Sequence, residues 1–531
     1  MNQATLLTNQ CTSTAMAVRD VMLVLLLALA VRLITLNGAF GTDDVVYFDR
    51  AAQIARGEWT SANYNGALRY GFNIPAAGFM ALFGHSIFVA SLWPLTCSLI
   101  EIGAVLLFAA KVVSRRAGVV AGLLLATAPL HIAVSTRISA DPVVAMFVTV
   151  GFVLLYFGAA QRRSGLLFAA GCAIGGIFWT KELAAVTWFA FLPMLWFFRG
   201  QWRNTLFVVA GGVLMMLLHG LMMWAIAGDP LHLLKVVLSA VQHNFIDGGQ
   251  GEDGAGYYLR YLFFDLRHTG LLAFFAVASM LVVSRSIKPD TQVRTALIYV
   301  LIWWIGLLLV LSVFPVSLSP LRFPMKQANY ITLFLAPTAL LAGVVIAALP
   351  RKLSQLAFFA CAGVGLVLGA LQQADYRAFT ANSKAVATFA TTNPLSVIVG
   401  STNNSALGPL WAAQSNPDVS HAKIITFREL SEQDPLALQH VAAAEKIYVV
   451  LDRQSMNWGT GNMAITSALP CWRPLQTLVP EDLGFGNKLA KAASVAVQSI
   501  GPVSNALDRL ATPKKADVYE IDGSDVFCRG H

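Results

Sequence analysis

Apolar runs of membrane-spanning length recur along the first 370 positions of the chain, near 20–36, 86–110, 117–134, 139–160, 165–180, 183–198, 204–227, 269–284, 295–314, 330–349 and 354–372. Each is long enough to cross a hydrocarbon core of roughly 30 Å as a helix, so the pattern predicts about eleven transmembrane helices. Past residue 375 the pattern changes. Short β-rich runs such as SVIVG, AKIITF, EKIYVVLDR and DVYEIDG alternate with stretches of helical period, which predicts an α/β domain over 373–531 behind a membrane module over 1–372.

The connections between runs orient the module. Every second one is short and basic: KVVSRR at 111–116, QRR at 161–163, RGQWR at 199–203, the basic residues of 285–294 and RK at 351–352. Those are cytoplasmic by the excess of Lys and Arg. The acids near the spans fall on the other side, among them Asp43, Asp44, Asp141, Glu182, Asp229, Asp247 and Asp265. The outside connections include a first loop of about 37–85 and a second of about 228–268, whose DGGQGEDGAGYY segment reads either as simple disorder or as a cover over substrate. An odd number of spans then leaves the C-terminal domain outside the cytoplasm. The N-terminal LLLALAVRL contains an A-x-A-like site, so a cleaved signal peptide competes with a first span; the long, weakly basic leader and the apolar run beyond the site favour the span.

Composition agrees with the pattern. The 531 residues are 56% hydrophobic and 12% charged, and mean hydropathy is +0.64, far from the roughly 25% charged content of soluble domains. The net charge of +9 is explained by the cytoplasmic loops and points to no nucleic acid. Cys11, Cys97, Cys172 and Cys361 show no metal-ligand spacing, whereas Cys471 and Cys528 lie in the outside domain, where a disulfide is chemically permitted.

Candidate chemistry collects on the outside edge. In TDDVVYFDRAAQIARGEW, residues 42–59, the apolar Val45, Phe48, Ala52 and Ala55 recur at helical spacing opposite Asp49, Gln53 and Arg56, which predicts a short helix on the membrane surface, capped by Thr42 and ended by Gly57. Asp43 and Asp44 would then stand in its first turn. Acids there favour the helix dipole without any chemistry, but two adjacent acids point about 100° apart, so one can serve the helix end while the other faces a cavity. Asp141 sits in a short outside turn, STRISADP; Lys181 and Glu182 interrupt an apolar stretch, as a functional group or an ion pair; Arg322 and Lys326 lie just outside the tenth span, where snorkelling is the plain alternative. Carboxylates and bases at one face can deprotonate a hydroxyl and stabilise a departing phosphate. No H-E-x-x-H, Walker loop, G-x-S-x-G or D-x-D stretch is present, and His219, His232 and His243 are scattered.

The stretch 42–59 resembles the first outside loop of the GT-C membrane glycosyltransferases, especially the branch of protein O-mannosyltransferases and lipid A aminoarabinose transferases. Asp43, Asp44, Tyr47, Gly57 and Trp59 occupy the places of that family's acidic pair, following Tyr and Gly-aromatic ending. RYGFNIPAAGFMALFG, TRISADP, WTKE and KQANYITLFLAP extend the likeness over most of 20–350. Asp44 stands where the family usually has Glu, NIP where many members have His-Pro-Pro, and Glu-Leu follows Lys181 where Gly-Pro is common.

The resemblance implies an inverting glycosyltransferase of the bacterial inner membrane. It would move a sugar from a polyprenyl-phosphate donor to a hydroxyl of a lipid, glycan or protein. It implies Asp43 as general base, Asp44 and Asp141 as orienting acids, and Lys181, Arg322, Lys326, Tyr47, Arg69 and Tyr330 as phosphate and donor contacts. A divalent cation, Mg²⁺ or Mn²⁺, held by Asp43 and Asp141 is a further implication, although the sequence carries no metal signature. A transporter or flippase of lipid-linked sugars is the competing class. It should place polar sites at mid-membrane on paired repeats, whereas the candidates here cluster toward one face.

Overall fold

The computed structural model describes residues 3–197, 202–242, 254–285, 292–315, 317–319, 321–323, 326–415, 420–456, 465, 467–480, 483–499, 502–522 and 525–528, with the side chains of 3–17 and of a few further residues outside it. It falls into two compact units, one of residues 1–36 and 47–369, the other of residues 37–46 and 370–531.

The helices of the first part are α1 (Gln3–Ile34), α2 (Asp43–Ala55), α3 (Tyr70–Phe83), α4 (Ile87–Val112), α5 (Arg115–Ala126), α6 (Pro129–Ser135), α7 (Asp141–Ala160), α8 (Ser164–Thr180), α9 (Trp188–Phe197), α10 (Trp202–Ala227), α11 (His232–Val241), α12 (Tyr257–Phe263), α13 (Leu266–Thr269), α14 (Leu272–Arg285), α15 (Gln292–Val313), α16 (Thr332–Ala348) and α17 (Arg351–Thr392), with a small hairpin of β1 (Ser317–Leu318) and β2 (Leu321–Arg322). Each of the eleven apolar stretches contains a helix. Among the described residues six helices are long and apolar enough to cross a membrane, and α5 with α6 makes a seventh if the two are one span bent by 60°. Pro129 causes that bend: Ala128 before it is extended (φ −63°, ψ 129°), so the helical ladder stops and restarts. Between α8 and α10 small residues let the backbones touch, since a Cβ at Gly171 would run into the Val208 carbonyl and one at Gly211 into that of Phe168.

Where α1, α4, α6 and α7 meet, the interior is ionic. Arg32, Glu101, His131 and Thr149 are all buried. Arg32 donates through Nε to Ser98 Oγ (2.8 Å) and through Nη1 to the Ala28 and Ala126 carbonyls (3.1 and 3.2 Å), while its Nη2 lies 2.6 Å from His131 Nδ1. A guanidinium has no acceptor, so Nδ1 must be the accepting nitrogen and the imidazole proton sits on Nε2. It faces Glu101 Oε2 at 3.1 Å, and Thr149 Oγ1 donates to Glu101 Oε1 at 2.9 Å. A neutral histidine thus bridges a buried cation and a buried anion, and the cluster carries no net charge. Glu101 also ties α6 to α7, the two helices on either side of the turn that carries Asp141.

The second unit is an α/β domain. Its elements, besides the end of α17, are β3 (Ser396–Gly400), α18 (Thr402–Ser415), β4 (Lys423–Thr426), α19 (Phe427–Ser431), α20 (Pro435–Ala443), β5 (Lys446–Asp452), α21 (Arg453–Met456), β6 (Trp472–Leu478), α22 (Phe485–Gln498), α23 (Asn505–Ala511) and β7 (Ala516–Ile521). The sheet order is β4-β3-β5-β7-β6; β4, β3 and β5 are parallel, and β7 runs antiparallel to both β5 and β6. Alternation sends Val397, Val399, Ile447 and Val449 to one core, and Ile398, Tyr448, Val450 and Val518 to another that includes Val386 and Phe389 of α17. Cys471 and Cys528 form a disulfide, with Cα atoms 5.7 Å apart.

Removing Glu101 leaves a buried guanidinium without its counter-charge. Glu101→Ala is expected to cost about 3–5 kcal/mol and Thr149→Val about 1 kcal/mol, read as a drop in melting temperature of the purified protein in detergent.

Candidate functional site

Two polar clusters in the first unit gather most of the residues singled out from the sequence. The first is built by the end of α8. Lys181 leaves the helical conformation (φ −155°, ψ 96°), and the chain restarts as a 3₁₀ turn over Glu182–Thr187. This break sends Lys181 and Glu182 to different partners. Lys181 Nζ donates to Asp141 Oδ1 at 2.8 Å and to Gln327 Oε1 at 3.4 Å, and it sits 4.4 Å from the centroid of the Tyr330 ring. Ser139 Oγ donates to the other oxygen of Asp141 at 3.0 Å. Lys181, Asp141 and Tyr330 are all buried, and the Tyr330 hydroxyl is a buried polar atom with no partner among the described residues.

The second cluster surrounds Arg69. Its guanidinium grips Glu182 with two bonds of 3.1 Å, Nε to Oε2 and Nη2 to Oε1, and Asn65 Nδ2 adds a third donor to Oε1 at 2.6 Å. Arg69 Nη1 also donates to the Tyr47 hydroxyl. Nearby on α2, Arg50 donates to Tyr70 Oη (2.8 Å) and Thr60 Oγ1 (2.7 Å). The buried residues of α2 are Asp44, Tyr47, Arg50, Ala51, Ala52 and Ile54, while Val45, Phe48 and Ala55 of the apolar stripe are half-buried. Tyr47 and Arg50 find polar partners inside the protein.

Lys326 is buried and donates to the Gly254 carbonyl at 3.2 Å. The Arg322 side chain lies outside the described residues, as do positions 247–253 of the Gly-rich segment. Asp43 and Asp44 belong to the second unit. Asp43 is half-buried at the start of α2. Asp44 is buried, and its carboxylate accepts from the Phe40, Gly41 and Thr42 amides and from the Thr42 hydroxyl, with 3.1 Å to Gly41 N and 2.6 Å to Thr42 N. It folds the turn that leads into its own helix.

Gln327, Ser139 and Asn65 were not singled out from the sequence. Each stands within five residues of a candidate, but only the fold shows which oxygen or nitrogen it reaches. A groove of about 850 Å³ adjoins the first cluster along the chain: Phe178 and Ala185, which bracket Lys181, line it together with Trp188, Met216, Trp224 and Leu234. Its walls are nearly all apolar, and His219 Nε2 is buried there with no partner among the described residues.

A family model described as dolichyl-phosphate-mannose-protein mannosyltransferase matches residues 72–224. The structure superposes on that of ArnT from Cupriavidus metallidurans bound to undecaprenyl phosphate with a TM-score of 0.57 at 15% identity, covering 94% of this chain and 97% of that one. The chain has the GT-C glycosyltransferase fold. A second GT-C structure, archaeal oligosaccharyltransferase AglB from Archaeoglobus fulgidus in complex with an inhibitory peptide and a dolichol-phosphate, matches with a TM-score of 0.54 at 12% identity over 95% of this chain and 88% of that one. The Archaeoglobus fulgidus oligosaccharyltransferase complex with Zn and sulfate matches at 0.53 and 12%, over 94% and 88%. No curated protein matches by sequence.

The last of these structures holds zinc and sulfate. Among the described residues no three His, Cys, Asp or Glu side chains gather as a metal would need. Asp141 is engaged by Lys181 and Ser139, and Asp44 by four donors of its own turn. Asp141 and Asp44 are thus held by protein donors, and a divalent cation on Asp43 and Asp141 belongs to the proposed reaction rather than to the site described here.

The planar fork of Arg69 is matched to Glu182, and lysine cannot reproduce it. Arg69→Lys is expected to lower stability by about 1–3 kcal/mol despite the retained charge, measured by thermal melting beside Arg69→Ala.

Proposed function

We propose that the protein is an inverting glycosyltransferase that takes a sugar from a polyprenyl-phosphate donor at the outer face of the inner membrane and delivers it to a hydroxyl of an envelope lipid, glycan or protein. The observation that carries this reading is the buried Lys181–Asp141 pair under Tyr330, flanked in sequence by the walls of a large apolar groove. A ligand with an anionic head and a long hydrocarbon tail suits that combination. Two of the similar structures hold such ligands, undecaprenyl phosphate and a dolichol-phosphate.

In the proposed reaction Asp43 takes the proton of the acceptor hydroxyl while that oxygen attacks the anomeric carbon. The bond from the anomeric carbon to the phosphate oxygen breaks, and the electron pair leaves on the lipid phosphate. Lys181 meets the growing negative charge, and Asp141 and Gln327 hold the ammonium where the phosphate needs it. The Tyr330 hydroxyl, which has no partner among the described residues, is a donor for a phosphate oxygen. Arg322 and Lys326 are the further cations of this reading, at the start of the segment that carries Tyr330. Arg69, Tyr47 and Glu182 form the scaffold of the donor side, and Asp44 builds the turn in front of Asp43.

The test is transfer itself. Mass spectrometry of envelope lipids, glycans and proteins from cells with and without the gene should reveal one missing sugar mass. Purified protein with the matching polyprenyl-phosphate sugar should then show Asp43→Asn reduced by about 10²–10⁴-fold and Lys181→Ala by about 10²–10³-fold, at normal expression. Near-normal turnover of Asp43→Asn would remove it as the base. Movement of the labelled donor across the bilayer without product would favour a transporter instead.

A further inference from the structure

The α/β domain has a crevice of the kind that usually binds ligands, and this chain fills it with its own residues. In the sheet order β4-β3-β5, the connection from β3 goes to one side and the next crossover returns to the other, so the strand order reverses between β3 and β5. Ligands of open α/β sheets bind beyond the carboxyl ends of the strands at such a reversal. Here that edge carries Ser401 after β3 and Asp452 at the end of β5, both buried. Asn382 of α17 donates to Asp452 Oδ1 at 2.6 Å, and Ser383 of α17 donates to Asn404 Oδ1 at 2.9 Å. The long helix α17 therefore closes the crevice, and the segment 37–46 packs on the same face of it. Phe40 stacks on Phe379 (centroids 4.6 Å) and meets Tyr376 edge-on (4.8 Å). Gly41 has φ +95°, and a Cβ there would lie 2.5 Å from Asn403 Oδ1, at the start of α18.

We infer that the C-terminal domain is a positioning module: it grips the Phe40–Asp44 turn on α17 and α18 and thereby sets the start of α2, and with it Asp43. Three features support the grip. Two aromatic contacts anchor the turn, a glycine is required by both backbone angle and space, and Asp44 organises the turn internally through three amides and a hydroxyl. Phe40 and Gly41 are then positioning residues acting through Asp43, a role that rests on the proposed transfer reaction, whereas the grip itself does not.

The experiment is hydrogen–deuterium exchange on the full-length protein in lipid nanodiscs, followed by mass spectrometry. The Phe40, Gly41 and Thr42 amides should exchange slowly in the wild type. They should exchange at least about tenfold faster in Phe379→Ala and Phe40→Ala, with Phe40→Leu close to wild type and the amides of β3 and β5 unchanged. Equal protection of the turn in the wild type and both alanine variants overturns the inference. If Phe379→Ala also loses protection in the sheet, Gly41→Ala decides in its place: faster exchange of the turn supports the grip, and unchanged exchange refutes it. Turnover supplies the second readout. Phe40→Ala should lose turnover while still binding undecaprenyl phosphate, and full turnover in that variant would refute the positioning role. A wild type that shows a protected turn but transfers no sugar would fault the proposed reaction and leave the grip standing.

Discussion

A charge that leaves water must be neutralised where it stands, and in a chain this apolar that requirement organises the interior. Burying an ion costs several kcal/mol unless a counter-ion and further donors meet it. The first unit meets the demand three times, with Arg32 and Glu101 bridged by His131, Arg69 forked onto Glu182, and Lys181 on Asp141. Each set joins segments far apart in the chain. Arg32 ties the end of α1 to the break between α5 and α6; Arg69 ties the segment before α3 to the end of α8; Lys181 ties α8 to the start of α7.

The three sets are not equivalent chemically. The Arg32 set is closed, since the guanidinium, imidazole and carboxylate already have partners on both sides and Ser98 and Thr149 take further bonds. The Lys181 set is open, because a lysine is a point charge with three donors that can turn to a new anion, and beside it stands a tyrosine hydroxyl with no partner among the described residues. In the proposed reaction the ammonium, held by one carboxylate and one amide oxygen, exchanges part of that coordination for a phosphate. Structure and reactivity therefore separate by how completely each buried charge has been satisfied.

Much of this architecture is legible along the chain because lipid imposes a simple grammar. A run such as 139–160 has no alternative to a helix, since its backbone must satisfy itself internally. The strands SVIVG and EKIYVVLDR are similarly plain, being buried on both faces. The strand β6 is not, for it is an edge strand with Pro474 inside it and most of its side chains exposed, so neither alternation nor propensity marks it. Among the candidate residues, Lys181, Asp141 and Arg69 are visible as ions in apolar surroundings. The choice of partner is not: adjacent Lys181 and Glu182 read as a possible pair, and the break in α8 instead sends them to Asp141 and Arg69.

The sequence by itself determined a polytopic helical protein with a C-terminal α/β domain and a likeness to the GT-C fold, because hydrophobic length and strand pattern are properties of contiguous segments. Only the tertiary structure decided that Asp44 folds its own turn, that Glu101 and His131 brace the helices around Asp141, and that residues 37–46 pack with the C-terminal unit across more than three hundred positions of chain. Pairings of that kind depend on which groups can cancel one another at a few ångströms once the helices have packed. Local periodicity holds no record of that distance.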